Sequence, residues 1–113
     1  MKKVIVVGGG PSGLMAADVL LAAGLEVHLY DAMPSVGRKF LLAGKGGLNL
    51  THSEPVDIFS SRYGGRRPHI EALLKGFDNA QVRVWAQGLG VETFVGSSGR
   101  VFPADMKAAP LLR

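Results

Sequence analysis

Glycines near the start of the chain have the spacing that binds phosphate groups. Gly8, Gly10 and Gly13 form a GxGxxG motif, and Pro11 directly follows the second of these glycines. In such a motif the first glycine permits a tight turn, the second lets a diphosphate approach the backbone, and the third lets a helix pack closely. Proline suits the first helical position, where its missing N–H group costs nothing. The helix N-terminus then attracts the anion, so the spacing predicts a diphosphate on residues 8–13.

An acidic residue follows at the distance expected in a dinucleotide site. Asp31 lies 18 residues after Gly13. A carboxylate at this point accepts hydrogen bonds from an adenosine ribose. Its negative charge repels a 2′-phosphate, which argues against NADP at this site. The alternative interpretation is a plain strand–turn–helix whose turn is rich in glycine.

The elements around the motif must form a β–α–β unit to hold these groups together. Val4 to Val7 is an apolar, β-branched run that predicts a strand buried on both faces, as in a parallel sheet. The mainly apolar segment from Leu14 to Leu21 predicts a helix, which Gly24 ends as a left-handed cap. Glu26 to Tyr30 predicts a second strand, so that Asp31 stands at its carboxyl end.

A second glycine-rich loop follows, over residues 44–47. A basic pair, Arg38 and Lys39, precedes it, and Asn49 and Thr51 come after it. In a simple NAD domain the second strand usually leads directly into another helix. An extended FAD would present its diphosphate and its flavin ring to a second loop of this kind, so the segment favours FAD.

Three segments of the chain resemble the flavoprotein family called HI0933-like or YhiN-like, a family of NAD(P)/FAD-dependent oxidoreductases. They are VIVVGGGPSGLMAA, GRKFLLAGKGGLNLTH and GRVFPADMKAAPLLR, and they cover the start, middle and end of the sequence. Many members carry a second motif of the type SGGGRCNxTN, where this chain reads AGKGGLNLTH. Leu48 stands where cysteine is common and His52 where asparagine is common, as expected of a subfamily variant.

The resemblance implies a Rossmann-like α/β fold of the glutathione-reductase type, with an FAD-binding domain that later segments complete. It also implies an FAD-dependent oxidoreductase with a small-molecule substrate, and with NAD(P)H as a candidate electron donor. The residues that would contact FAD on this basis are Gly8, Gly10, Pro11, Ser12, Gly13, Asp31, Arg38, Lys39, Gly46, Asn49 and Thr51. A nucleotide-binding module without catalysis and an NAD-only dehydrogenase domain remain the alternatives.

The rest of the chain predicts a helical segment and then a β-hairpin. We divide the sequence into residues 1–52 with the two glycine loops, residues 53–90 with the helices, and residues 91–103 with the hairpin. Pro68 and Asp78 mark two helix starts, and Gly96 to Gly99 marks the hairpin turn. Trp85 is expected in the core. We interpret His52 mainly as a structural residue, with a role near the flavin as the alternative.

Composition limits the class of protein. The 113 residues are 47% hydrophobic and 19% charged, which is typical of a globular domain. The absence of cysteine excludes disulfides and thiolate metal sites, and no other metal-ligand spacing is found. A net charge of +4, with a local cluster of Arg62, Arg66, Arg67 and His69, lacks the broad basic face of a nucleic-acid binder. We expect a cytoplasmic protein without a membrane span or a nucleic-acid partner.

The chain ends on a segment, residues 105–113, that resembles the first turn of a helix. We therefore expect the natural protein to continue past Arg113 and this chain to be its N-terminal part. Two parallel strands bury little apolar surface. The 113 residues alone are accordingly expected to bind FAD weakly or not at all.

Overall fold

The structure, a computed structural model, describes residues 2–113. It is an α/β arrangement with one parallel β–α–β unit and one small antiparallel sheet. The chain divides into two compact units. The first runs to Ala43 and includes Leu112, and the second comprises Gly44–Leu111 and Arg113. Among the described residues, no helix is long and apolar enough to cross a membrane.

The first unit is built on two parallel strands, as predicted. Strand β1 (Lys3–Val7) pairs with β2 (Glu26–Tyr30), in the register that sets Val4 opposite Val27. Alternate residues of β1 are half-buried, whereas Ile5 and Val7 are 65% and 84% exposed. The prediction of a strand buried on both faces is therefore wrong for the described chain, because two strands and one helix cover only one face.

Helix α1 (Pro11–Ala22) joins these strands and has the ends that the sequence predicts. Pro11 occupies the first turn, and Gly24 has a φ of +80°. The N–H of Leu25 donates to the carbonyl of Leu20 at 3.2 Å, which is the long hydrogen bond of a Schellman motif. A short helix that the sequence did not predict, α2 (Arg38–Ala43), ends the unit.

The second unit contains an antiparallel sheet of order β3–β5–β4. Strands β4 (Thr93–Val95) and β5 (Arg100–Pro103) form the predicted hairpin. The two-residue strand β3 (Thr51–His52), which the sequence did not predict, pairs with the other edge of β5. Val101 of the central strand is fully buried, as is Pro103.

Four helices and one 3₁₀ turn complete this unit. They are α3 (Val56–Ser61), the turn Gly64–Arg66, α4 (Arg67–Leu74), α5 (Asn79–Gly88) and, except for its Leu112, α6 (Ala109–Leu112). Asp78 caps α5 through a capping box with Gln81, which confirms the predicted helix start. Trp85 on α5 is half-buried, and its indole N–H is buried without a partner among the described residues.

Candidate functional site

The phosphate-binding motif forms the turn between β1 and α1. Gly8 has a φ of +102°, a conformation that side chains rarely adopt, and its N–H donates to the carbonyl of Tyr30 at 2.7 Å. Gly13 packs directly under this turn, since a Cβ on Gly13 would lie 1.9 Å from the Gly8 carbonyl oxygen. The first and third glycines therefore have the structural reasons that the motif predicts.

Gly10 is different, because neither its backbone conformation nor its neighbours among residues 2–113 require glycine at this position. It is the N-cap of α1, with φ −81° and ψ −175°, a conformation open to any residue. A Cβ placed on Gly10 would meet no atom within 4 Å. The residue thus borders open space at the mouth of the helix.

No side chain of the described residues caps the N-terminus of α1. The N-cap makes no side-chain hydrogen bond, and the first turn contains no acidic residue. The first N–H groups of an α-helix have no acceptor within the helix, and here they belong to Gly10, Ser12 and Gly13, because Pro11 has none. These amides, together with the positive end of the helix dipole, can hold an anion.

The carboxylate of Asp31 is turned toward the same loop. Its Oδ2 accepts the N–H of Gly9 at 2.6 Å, and its Oδ1 accepts the N–H of Met33 at 2.8 Å. These two hydrogen bonds, that from Met33 first, lower the pKa of Asp31, and the charge of Arg38 adds to the effect. A carboxylate has about four lone-pair positions, so the ionised group can still accept hydroxyl groups of a sugar.

Sequence reasoning missed the contribution of Gly9, a variable position of the GxGxxG pattern. A Cβ on Gly9 would lie 2.5 Å from Cγ1 of Val36, and the carbonyl of Gly9 accepts the N–H of Gly37 at 2.7 Å. The run of three consecutive glycines was the available signal. It could not reveal which segment would contact the middle one.

The basic pair lies at the start of α2 with both side chains exposed. The Nε of Arg38 donates to Oγ of Ser35 at 3.1 Å. Arg38 influences Asp31 electrostatically, as described above, and so belongs to the surroundings of the loop. The Lys39 side chain is exposed.

The second glycine loop belongs to the second unit. A Cβ on Gly44 would lie 2.5 Å from Cβ of Ala108, and one on Gly47 would lie 2.6 Å from Cε of Met106. Leu48 is buried, and its N–H donates to the carbonyl of Met106 at 3.1 Å. Packing within the unit thus accounts for two glycines of this loop.

Three further predicted contact residues lie in or near that loop. Gly46 is exposed and meets no atom within 4 Å of an added Cβ. Asn49 is exposed, and Thr51 is half-buried in β3. Their assignment to FAD stays a prediction.

His52 uses both ring nitrogens inside the unit. Its Nδ1 accepts the N–H of Glu54 at 3.1 Å, and its Nε2 lies 3.0 Å from the carbonyl oxygen of Ser98. This pattern fits a neutral ring with the proton on Nε2. The ring therefore ties the end of β3 to the hairpin turn, in agreement with the structural interpretation.

The arginine cluster is largely paired. Arg62 binds both carboxylate oxygens of Glu54, and Arg67 binds Asp57 and Glu71. These contacts raise the pKa values of both arginines and lower that of Glu54, in each case mainly through the side-chain hydrogen bonds. Two of the three arginines thus face carboxylates of the chain itself.

Comparison with known proteins agrees with this geometry. The family model described as HI0933-like protein Rossmann domain matches residues 2–113. The ribosomal RNA dihydrouridine synthase of Haemophilus influenzae is 32% identical over 66% of the chain and 18% of that protein. The hydroxysqualene dehydroxylase of Sinorhizobium fredii is 34% identical over 90% of the chain and 21% of that protein.

A shorter match lies with the N,N-dimethylglycine/sarcosine dehydrogenase of Chromohalobacter salexigens, which is 48% identical over 39% of the chain and 6% of that protein. The chain therefore spans about a fifth or less of the length of these relatives. These distant relatives are oxidoreductases, and the family is one of nucleotide-binding Rossmann domains.

Proposed function

Because the chain belongs to the HI0933-like family of Rossmann domains, we propose that it is the nucleotide-binding part of an FAD-dependent oxidoreductase. In this proposal the N–H groups of Gly10, Ser12 and Gly13 hold the diphosphate, and Asp31 accepts the ribose hydroxyls. FAD supplies the redox chemistry, while the protein binds and orients it. Arg38, Lys39, Gly46, Asn49 and Thr51 are assigned to the remainder of the cofactor by the family resemblance.

One observation carries the nucleotide site: Gly10 is glycine although neither its φ nor its surroundings require it. Ser, Asp or Asn would cap α1 better in the absence of a ligand, by roughly a few tenths of a kcal/mol. A residue without a side chain at this point leaves space for a phosphate against the backbone. The ionised carboxylate of Asp31 lies beside the same loop and offers hydrogen-bond acceptors to the hydroxyl groups of a sugar.

The choice between FAD and NAD rests on the second glycine loop and on the family. Asp31 disfavours a 2′-phosphate at the adenosine end, so NADP(H) does not fit this site. NAD(P)H as an electron donor would bind elsewhere in the whole protein. A small-molecule substrate is part of the same proposal.

The test is a calorimetric titration of the purified protein with FAD, NAD⁺ and ADP, together with its visible absorbance spectrum. We expect flavin absorbance and FAD binding in the whole protein, and ADP binding that depends on Gly10. The variant Gly10→Ala should weaken ADP binding at least about tenfold, since its methyl group occupies the space proposed for phosphate. The exposed Gly65 meets no atom on adding a Cβ, so Gly65→Ala is the matched control.

The results separate the alternatives. A colourless protein that binds NAD⁺ supports the dehydrogenase domain, and nucleotide binding without turnover supports the non-catalytic module. Equal ADP affinity of wild type and Gly10→Ala would mean that residues 8–13 do not bind the nucleotide. If Gly10→Ala lowered the free energy of unfolding by more than about 1 kcal/mol, its binding result could not be used, because changing the N-cap residue alone lowers it by less.

A second candidate substrate is a uridine in RNA. It is favoured by the Haemophilus relative, whose name states that it makes dihydrouridine in ribosomal RNA. The expectation of no nucleic-acid partner argues against it, as does the pairing of Arg62 and Arg67 with carboxylates. Incubation of the FAD-loaded protein with NAD(P)H and ribosomal RNA, followed by mass spectrometry of the nucleosides, decides the question. Dihydrouridine formation supports this candidate, and its absence supports a small molecule.

A further inference from the structure

The segment after the ribose acid folds back onto the phosphate-binding loop and holds one residue of it. The N–H of Gly9 donates to Oδ2 of Asp31 at 2.6 Å, and the carbonyl of Gly9 accepts the N–H of Gly37 at 2.7 Å. Both polar groups of Gly9 are therefore bound by residues 31–37. Asp31 is itself fixed by the N–H of Met33.

The side chain of Val36 also packs closely against Gly9. A Cβ on Gly9 would lie 2.5 Å from Cγ1 and 2.8 Å from Cβ of Val36, and 3.0 Å from Oδ2 of Asp31. Real Cβ atoms essentially never come within 3.0 Å of such neighbours. Gly9 is not among the glycines with positive φ, so its backbone would accept alanine. The reason for glycine at position 9 is therefore the close approach of Val36.

We propose that residues 31–37 form a clamp that positions the phosphate-binding loop, and that Val36 is a positioning residue which acts through Gly9 without touching the ligand. This inference rests on the proposed function, because it assigns the clamp a role in dinucleotide binding. The peptide between Gly9 and Gly10 carries the first N–H offered to the phosphates. Fixing Gly9 at both polar groups orients that N–H before the ligand arrives, which lowers the ordering cost of binding.

The experiment is a double-mutant cycle in the longest natural form of the protein, with ADP as the ligand. The variants are Gly9→Ala, Val36→Gly and the double variant. Gly9→Ala should weaken ADP binding at least about tenfold in the wild-type background, because its Cβ collides with Val36. In the Val36→Gly background the collision is removed, and Gly9→Ala should weaken ADP binding less than about threefold. Val36→Ile keeps both γ-carbons and should bind ADP like the wild type.

The outcomes are distinct. An equal loss from Gly9→Ala in both backgrounds overturns the role of Val36. Wild type that binds neither ADP nor FAD overturns the proposed function, and with it the binding role of the clamp. The clamp itself is tested without ligand by amide hydrogen exchange: protection of the Gly9 and Gly37 amides in wild type, reduced in Val36→Gly, supports it. Exchange of both amides at unprotected rates in wild type overturns it even if Gly9→Ala fails to fold.

Discussion

The two glycine-rich loops of this chain look alike in sequence but differ in what requires glycine. In the first loop Gly10 borders open space at a helix mouth, with an ordinary φ. In the second loop a Cβ on Gly44 would collide with Ala108, and one on Gly47 would collide with Met106 of the same unit. Neither packing nor φ accounts for glycine at position 10 of the first loop, whereas packing accounts for Gly44 and Gly47 of the second loop and leaves Gly46 without such a reason. Glycine content alone cannot separate these two causes.

The largest expected effect comes from Gly13→Ala. A Cβ placed 1.9 Å from the Gly8 carbonyl oxygen must push apart two backbone segments. We expect a loss of about 3 kcal/mol or more in the free energy of unfolding, at the upper end for overpacked sites. Chemical denaturation with far-UV circular dichroism measures it. A loss below 1 kcal/mol would contradict the close packing of α1 under the turn.

In the second loop, Gly44→Ala tests the packing explanation. Its Cβ would lie 2.5 Å from Cβ of Ala108, so we expect a loss of about 1–3 kcal/mol in stability. The double variant with Ala108→Gly removes the opposing carbon and should recover most of this loss. If Gly44→Ala is as stable as wild type, the loop is not held by residues 106–108. The contrast between the loops would then disappear.

Local rules predicted those features whose causes lie within a few residues. Pro11 at the helix start, Gly24 in the left-handed cap and Asp78 in its capping box all depend on neighbours along the chain. The same holds for the strand at residues 4–7, which an apolar β-branched run marks, and for the hairpin, which its turn residues mark.

Features set by distant partners were not predictable. Strand β3 has two residues and exists because Thr51 pairs with Val101 of β5. The requirement for glycine at position 9 depends on Val36, which no spacing rule connects to the motif. The exposure of Val7 likewise depends on what else covers the sheet. The predicted contacts of Arg38 and Lys39 with a cofactor stay predictions for the same reason.

An intermediate effect is expected from Asp31, which lies beside the first loop and makes the stability depend on pH. Hydrogen bonds from Met33 and Gly9 lower its pKa below the ordinary value of 3.8. The unfolded chain then takes up this proton first as the pH falls. The stabilisation is therefore complete above about pH 3.8 and is lost as the pH drops through the lower folded pKa.

The variant Asp31→Asn should consequently be less stable than wild type at pH 7, and the difference should shrink below pH 3.8. Unfolding curves measured between pH 7 and the acid range give the comparison. Asp18→Asn removes one negative charge from α1 of the same unit and corrects for net charge. A difference that stays constant with pH would mean that the carboxylate does not hold Gly9.

The smallest and most discriminating effect is expected from Gly46→Ala. Gly46 is the counterpart of Gly10 in the second loop, since an added Cβ meets no atom and its φ is not positive. Stability should therefore be unchanged within about 0.5 kcal/mol. If FAD extends to this loop, FAD affinity should fall by about threefold, while ADP affinity stays constant because ADP lacks the flavin half. Titrating both ligands against wild type and Gly46→Ala measures the two effects side by side. Unchanged FAD affinity would leave glycine at position 46 without a ligand to explain it, and the dinucleotide would then depend on the first loop alone.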